Sequence, residues 1–183
     1  MPGVLKSFNL PFEQYADDVQ SIIAPCIERN GEMEWRLVVL TNEIHGHLGI
    51  YSTLGAKMGL RAREWFEAQG LKGHISVLSF AGSAPPVSCL NDGLQVSTGA
   101  SLGHGLIALS DAPSKRPESI FTCGEHSIRL ALKSEYSEQI RTAIADLKAE
   151  FGDTAPYWQK VRELALVYWM DWHRHDIFDI WMN

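Results

Sequence analysis

Residues 43–49, Glu-Ile-His-Gly-His-Leu-Gly, are the stretch around which this chain is organised. Two histidines stand two positions apart, with Gly46 between them. Residues two apart do not face each other on a helix, whereas on a strand they share a face. Because a helical pattern begins directly after His47, we predict a loop in which Gly46 lets both imidazoles converge. A histidine pair at the entrance of a helix indicates a metal or proton-transfer site; the alternative is two loop histidines bound to backbone and water.

Apolar residues at three-to-four spacing predict helices on both sides of this loop. The predicted helices cover residues 12 to about 29, 48–69, 135–151 and 156 to about 170. A helix boundary is expected just before Pro25. The helix at 48–69 carries small residues from Ser52 to Ala62, which indicates close packing against another backbone.

Short apolar or alternating runs predict the strands. They lie at residues 35–40, 74–80, 106–109, 119–123 and 127–132, and the last two form a hairpin about Gly124. Because helices and strands mix without strict alternation, we predict an α+β fold with a mixed or antiparallel sheet packed with helices and a helical C-terminal tail. The predicted division is a core at 1–155 and a helical, aromatic-rich extension at 156–183.

The C-terminal extension is unusually aromatic: three of the six tryptophans lie within residues 169–181. Such a segment is expected to dock on its own domain or on a partner. Together with the small residues from Ser52 to Ala62, it predicts a homodimer, since one or both surfaces should bury against another chain. His173 and His175 are also two apart, but they stand among charges and are interpreted as part of a solvated face.

Composition limits the classes of function. The net charge of -6 and the lack of a basic cluster exclude nucleic acid as a partner. The three cysteines form neither a disulfide framework nor a Cys-x-x-Cys motif, which indicates a reducing compartment. The sequence shows no signal peptide and no apolar run of the roughly 20 residues that cross a membrane. We therefore expect a cytoplasmic protein.

Two further stretches carry candidate site residues. Cys89 is predicted to lie in the first turn of a helix that begins at Ser88, where the dipole lowers the pKa of a thiol; the alternative is a buried structural cysteine. Residues 98–105, Thr-Gly-Ala-Ser-Leu-Gly-His-Gly, are glycine-rich but lack the Gly-Lys-Ser/Thr ending and precede a strand. Phosphate binding is therefore not favoured. The glycines leave His104 well exposed.

The ordered set of motifs resembles the core domain of the E-type subunit of formylmethanofuran dehydrogenase over roughly residues 12–150. The motifs are His45-Gly-His-Leu48, Leu54-Gly55, Cys89-x-x-Asp92-Gly93-x-Gln95, and Thr98-Gly99 followed by Gly103-x-Gly105. The resemblance implies an α+β core with histidines and cysteines lining a cleft, and an associated metal that is often zinc. Some members carry a C-terminal four-cysteine zinc finger, which this chain lacks.

The chain departs from that pattern at two places. Where the family usually continues His-Gly-His-x-Cys-Pro, this chain has Gly49 and Ile50. Where the family usually has Thr-Gly-Cys-Thr-x-Gly-Lys-Gly, this chain has Ala100, Ser101 and His104 at the third, fourth and seventh positions. Two thiols are gone and a lysine is replaced, so we expect a pocket with altered chemistry.

These observations predict a site for zinc or another divalent transition metal, because imidazole and thiolate are ligands that zinc favours. The predicted ligands are His45, His47, Cys89 and His104. Asp92 is expected to orient a ligand imidazole or hold a bound water, and Thr98 and Ser101 are predicted to lie just outside the metal ligands or to bind a small molecule. The alternative is a set of unrelated polar residues in glycine-rich loops.

Three functions are compatible with these features. The first is a metal-binding cleft protein, an enzyme or enzyme subunit that acts on or binds a small molecule. The second is a non-catalytic accessory subunit of a molybdenum or tungsten oxidoreductase, which binds its partner through the aromatic tail. The third is a metal-independent thiol enzyme, with Cys89 as the catalytic nucleophile and His45 or His47 as the base.

Overall fold

The computed structural model describes residues 10–112 and 115–182, and it shows helices packed with one five-stranded sheet. The α-helices of this part, α1 to α7, are Asp17–Gln20, Ile23–Asn30, Glu32–His45, Ile50–Ala68, Leu90–Thr98, Ser134–Phe151 and Ala155–Asp171. The strands, β1 to β5, are Ser76–Ser79, Ile107–Leu109, Glu118–Cys123, His126–Leu132 and Phe178–Met182. No helix in the two described ranges has the length and apolar character that crossing a membrane requires. The predicted α+β fold is confirmed.

The sheet is mixed, with strand order β2-β1-β3-β4-β5. β1 pairs in parallel with β2, and the remaining pairs are antiparallel. Strands lie where the runs at 74–80, 106–109, 119–123 and 127–132 predicted them, and β3 and β4 form the predicted hairpin. Phe121 of β3 and Ile128 of β4 face each other in register and are fully buried, so this pair anchors the core face of the sheet.

The small residues of α4 let α5 pack against it backbone to backbone. A Cβ atom on Gly55 would overlap with the carbonyl group of Leu90, and a Cβ atom on Gly93 would overlap with backbone atoms of α4. Gly59 likewise faces Ser97, whose hydroxyl group donates to the carbonyl of Gly93 at 2.6 Å. The close packing predicted for the small residues of α4 is therefore confirmed, and the backbone that packs against them belongs to α5 of the same chain.

The strand predicted at 35–40 is wrong, because these residues lie inside α3. The buried side chains of α3 include Trp35, Val38 and Asn42, which recur at the spacing of a helix. Leu37 is buried as well. Because α3 is buried on more than one face, the sequence at 35–40 is largely apolar. A short apolar run of this kind does not distinguish a strand from a buried helix.

The helix predicted at 12 to about 29 is divided in the structure. A 3-10 turn at Phe12–Gln14 and the short helix α1 precede α2. Pro25 lies in the first turn of α2, where backbone N–H groups have no partner within the helix. The boundary expected before Pro25 is present, and α2 begins two residues ahead of the proline.

The aromatic tail docks on its own chain. α7 is the predicted C-terminal helix, but the residues after Asp171 do not continue it: Phe178–Met182 form β5, which pairs with β4. Trp169 stacks on Trp35 with ring centroids 4.4 Å apart, and Trp172 is also buried. The extension thus completes both the sheet and the core.

Candidate functional site

The loop between α3 and α4 is shaped by two glycines and one buried asparagine. Gly46 ends α3 in the left-handed conformation, with φ at 84°. Asn42 then accepts hydrogen bonds at Oδ1 from the amide of Gly49 at 2.9 Å and from the Ser52 hydroxyl at 2.8 Å. Its Nδ2 donates to Thr53 Oγ1 at 3.2 Å. Asn42 therefore ties the end of α3 to the start of α4, and nothing in the sequence pattern identified it.

This loop places the two predicted imidazoles side by side. The ring centroids of His45 and His47 are 4.4 Å apart, with planes inclined at 40°. The side chain of His45 is only 11% exposed, whereas His47 lies at the surface. The convergence expected from Gly46 is confirmed, although His45 is the last residue of α3 and only the following residues form a loop.

Asp92 of α5 holds the ring of His45. The distance from His45 Nδ1 to Asp92 Oδ2 is 2.7 Å. An ionised carboxylate only accepts hydrogen bonds, so Nδ1–H donates and, in the neutral ring, Nε2 keeps a free lone pair. The packing of α5 on α4 brings Asp92 to this position. The expectation that Asp92 orients an imidazole agrees with this contact.

Gly49 packs closely against the ring of His45. A Cβ atom at position 49 would lie 3.2 Å from Nε2 of His45 and 2.7 Å from the hydroxyl of Ser52. The cysteine that the resemblance implies at this position would therefore require Ser52 to move. Glycine lets the loop backbone lie directly against the His45 ring.

His47 has a pKa lowered from its ordinary value. Burial of part of the ring is the main cause, and the nearby His45 and Arg162 add to it. Because the unperturbed pKa of histidine is about 6.5, His47 is neutral at pH 7. A neutral imidazole can accept a proton or coordinate a metal.

The prediction that a helix dipole lowers the pKa of Cys89 is wrong. The thiol lies at the end of a 3-10 turn, Val87–Cys89, and α5 begins only at Leu90. Burial raises the pKa of Cys89, and the carboxylate of Asp92 raises it further. The backbone hydrogen bond at Cys89 lowers it less. The neutral thiol is therefore favoured, which argues against an activated nucleophile.

The glycine-rich stretch lies at the other end of α5. Nine residues of α5 separate Cys89 from Gly99, which is about 14 Å along a helix axis. Thr98 Oγ1 is used within the loop, since it donates to Leu94 O at 2.6 Å and accepts from the amide of Ala100 at 3.0 Å. Ser101 Oγ accepts from the amide of His104, whose side chain lies in an exposed turn.

The four predicted metal ligands are only partly brought together. His45 and His47 are adjacent, and Asp92 bonds to His45. Within residues 10–112 and 115–182, no three His, Cys, Asp or Glu side chains are grouped so that they could hold one ion. Cys89 and His104 thus do not complete a preformed three-donor site with the histidine pair.

Comparison with known proteins agrees with the sequence motifs. No curated protein matches the chain. A family model described as FmdE, molybdenum formylmethanofuran dehydrogenase operon, matches residues 44–179. The match begins at the histidine loop and runs through α7 to the start of β5, so it includes the motifs and most of the aromatic segment but ends before Trp181. Since it covers more than half of the 183 residues, the chain belongs to the FmdE family.

Proposed function

We propose that this protein binds a divalent transition metal, zinc foremost, at His45 and His47, and that this site acts on or binds a small molecule. The observation that carries the proposal is the hydrogen bond from His45 Nδ1 to Asp92, at 2.7 Å. A metal-binding histidine almost always donates its other ring N–H to a carboxylate, a carbonyl or water. The second imidazole, that of His47, stands directly beside this oriented ring.

The histidine pair supplies fewer protein donors than a usual zinc site, so other ligands must complete the coordination. Structural zinc takes four protein ligands, and catalytic zinc takes three and keeps one position open. Two imidazoles are fewer than either, and the described residues provide no third donor in reach. The exposed ring of His47 leaves the pair open to solvent on its own side. An ion bound there would supply Lewis-acid chemistry to a small molecule that completes its coordination.

Zinc binding measured by calorimetry tests this proposal. We expect His47→Ala and Asp92→Asn each to weaken zinc binding by about tenfold or more, since the first removes a donor and the second its orienting partner. Binding should also weaken in acid, where protons compete for His47, and the lowered pKa of His47 places that loss below the ordinary histidine pKa of about 6.5.

Two variants serve as matched controls for the zinc measurement. His104→Ala removes the exposed histidine of the glycine-rich turn. His175→Ala removes one ring of the second His-x-His pair, His173 and His175; Nε2 of His175 lies 3.1 Å from Oε2 of Glu64. Neither should change zinc affinity by more than about twofold. Undiminished binding in His47→Ala, or its loss in either control, would contradict the assignment.

A non-catalytic accessory role for a molybdenum or tungsten oxidoreductase is the second candidate. The family description, which names the operon of a molybdenum formylmethanofuran dehydrogenase, favours it. Because Trp169 and Trp172 are buried within the chain, a partner would meet the exposed Trp181 and Met182 of the edge strand β5. Co-purification of a large partner, lost when Trp181 is replaced by alanine, would support this role.

A cytoplasmic, reducing setting is part of either proposal and rests on the three free cysteines.

A homodimer remains a prediction, but on a different surface. The small residues of α4 are buried within the chain, and so are Trp169 and Trp172 of the tail. Trp158 of α7 is 56% exposed, and we infer that this side chain takes part in the contact with a second copy. Light scattering at micromolar concentration should give a molar mass of two chains for the wild type. The Trp158→Glu variant should give the mass of a single chain. A wild-type monomer at that concentration would contradict the dimer.

A further inference from the structure

A single buried residue, Asn42 of α3, holds both ends of the loop that carries His47. The backbone carbonyl of Asn42 accepts from the amide of Gly46 at 2.9 Å, where α3 ends. Its side-chain Oδ1 accepts from the amide of Gly49 at 2.9 Å, one residue before α4 begins. His47 lies between these two glycines, so both attachments of its loop depend on Asn42.

The side-chain amide of Asn42 has no hydrogen-bonding position to spare. An asparagine amide offers two acceptor lone pairs and two N–H donors. Besides the Gly49 amide, Oδ1 accepts from the Ser52 hydroxyl at 2.8 Å. Nδ2 donates to Val38 O at 2.9 Å and to Thr53 Oγ1 at 3.2 Å. Because Asn42 is only 9% exposed, any other orientation of this amide would leave buried polar groups unpaired, which is destabilising.

Gly49 passes this constraint to the ring of His45. A Cβ atom on Gly49 would lie 3.2 Å from both Nε2 and Cδ2 of His45, so the backbone of Gly49 lies against that edge of the ring. Asp92 bonds to Nδ1 of the same ring at 2.7 Å. The Ser52 hydroxyl, which donates to Asn42, also lies 3.1 Å from Gly49 O. The His45 ring is therefore held between Asp92 and a backbone segment that Asn42 and Ser52 fix.

We propose that Asn42 is the positioning residue of the histidine pair: through Gly46 and Gly49 it holds the ring of His47 beside the ring of His45. This arrangement stands on the hydrogen bonds and the packing alone, and its consequence for metal binding rests on the proposed function. Asn42 acts through the loop and is not itself a ligand, because both lone pairs of Oδ1 are occupied.

The nuclear Overhauser effect between the two imidazoles measures this positioning without any metal. With ring centroids 4.4 Å apart, the carbon-bound ring protons of His45 and His47 should give a cross peak in the wild-type protein. Asn42→Ala removes the acceptor of the Gly49 amide and the Ser52 hydroxyl, so the loop should shift and the cross peak should be lost. Zinc affinity measured by calorimetry should fall by about tenfold or more in the same variant.

Thr53→Val is the matched control. It removes the hydroxyl that accepts from Nδ2 of Asn42, and it leaves the bonds of Oδ1 to the loop and to Ser52 in place. Thr53 is as buried as the other partners of Asn42 in α4, so the change should lower the melting temperature. The cross peak should remain, and zinc affinity should stay within about twofold of wild type.

Ser52→Ala is a milder variant that decides the question if Asn42→Ala does not fold. It removes one of the two bonds to Asn42 Oδ1 together with the contact to Gly49 O. We expect a weaker cross peak and zinc affinity reduced by at least about fivefold. A cross peak and a zinc affinity equal to those of Thr53→Val would overturn the proposal.

The two readouts separate this proposal from the proposed function. If Asn42→Ala lowers the melting temperature but keeps the cross peak, or if the wild type shows none, Asn42 does not position the pair. Loss of the cross peak to the same extent in Thr53→Val would overturn the proposal as well. If the cross peak is lost in Asn42→Ala but the wild type binds no zinc, the positioning stands and the metal site fails. If the wild type binds zinc and Asn42→Ala binds it as tightly, the metal site stands and the consequence proposed for Asn42 is overturned.

Discussion

Gly93→Ala is expected to destabilise the protein by about 3 kcal/mol, because the added methyl group has nowhere to go. It would overlap with the backbone nitrogen of Ala56 and the carbonyl oxygen of Ser52, atoms that cannot rotate away as a side chain can. α4 and α5 must then separate. In thermal unfolding the midpoint should fall by about 6–12 °C for a chain of this size.

The same change should damage the candidate site, since Asp92 directly precedes Gly93. Moving α5 away from α4 lengthens the contact of 2.7 Å between Asp92 and His45. Zinc affinity should therefore fall in the folded variant as it does in Asp92→Asn. Gly103→Ala is the control: a Cβ there meets nothing nearer than the Ser101 hydroxyl at 3.9 Å, and stability should change by about 0.5 kcal/mol or less. Equal midpoints for the two variants would contradict the close packing of α4 on α5.

Lys57→Met is expected to cost about 3–5 kcal/mol, the usual effect of removing one partner of a buried ion pair. The Lys57 and Glu34 side chains are fully buried, and Nζ lies 2.5 Å from Glu34 Oε1. The same ammonium donates to the carbonyl oxygens of Trp169 and Trp172 at 2.9 and 2.8 Å. Lys57 of α4 thus holds α3 and the end of α7 in place. Chemical denaturation should show the decrease in the free energy of unfolding.

A second variant separates the buried charge from the lost packing. Adding Glu34→Gln to Lys57→Met removes the buried carboxylate that the single change deprives of its ammonium partner, while Arg174 Nη1 still lies 3.1 Å from it. The double variant should recover part of the lost stability. Lys160→Met, which breaks an exposed pair with Glu163, should leave stability unchanged. A Lys57→Met protein as stable as wild type would show that the buried network contributes nothing.

Regular patterns in the sequence predicted most of the fold. α6 and α7 have apolar stripes facing a core on one side, and strands β1 to β4 lie within short alternating or apolar runs, so periodicity identifies them. α4 is buried on several faces, but its 19 residues exceed the usual length of a strand. The apolar run at 35–40 is also buried on more than one face and is short, so it reads as a strand although it lies inside α3. The final strand β5 was missed, since its pairing with β4 depends on a contact distant in sequence.

The candidate site was predicted where its contacts are local and, beyond them, at the contact of Asp92 with His45. Gly46 and the spacing of the two histidines were sufficient to predict that His45 and His47 converge. Their predicted convergence with Cys89 and His104 ignored the length of α5, a rigid helix that places these residues near its opposite ends. Asn42 left no signal, because a buried asparagine on a helix is recognised only by its partners in the following turn.

The position of a bound zinc ion tests the central claim most directly. Crystals of the full chain soaked in zinc, with diffraction recorded at the zinc absorption edge, locate the ion without any assumption about its ligands. We expect an anomalous peak at about 2.0–2.1 Å from a ring nitrogen of His47 and from Nε2 of His45, with Asp92 still bound to Nδ1 of His45. A peak at Cys89, His104 or the His173–His175 pair, with none at His45 and His47, would contradict it.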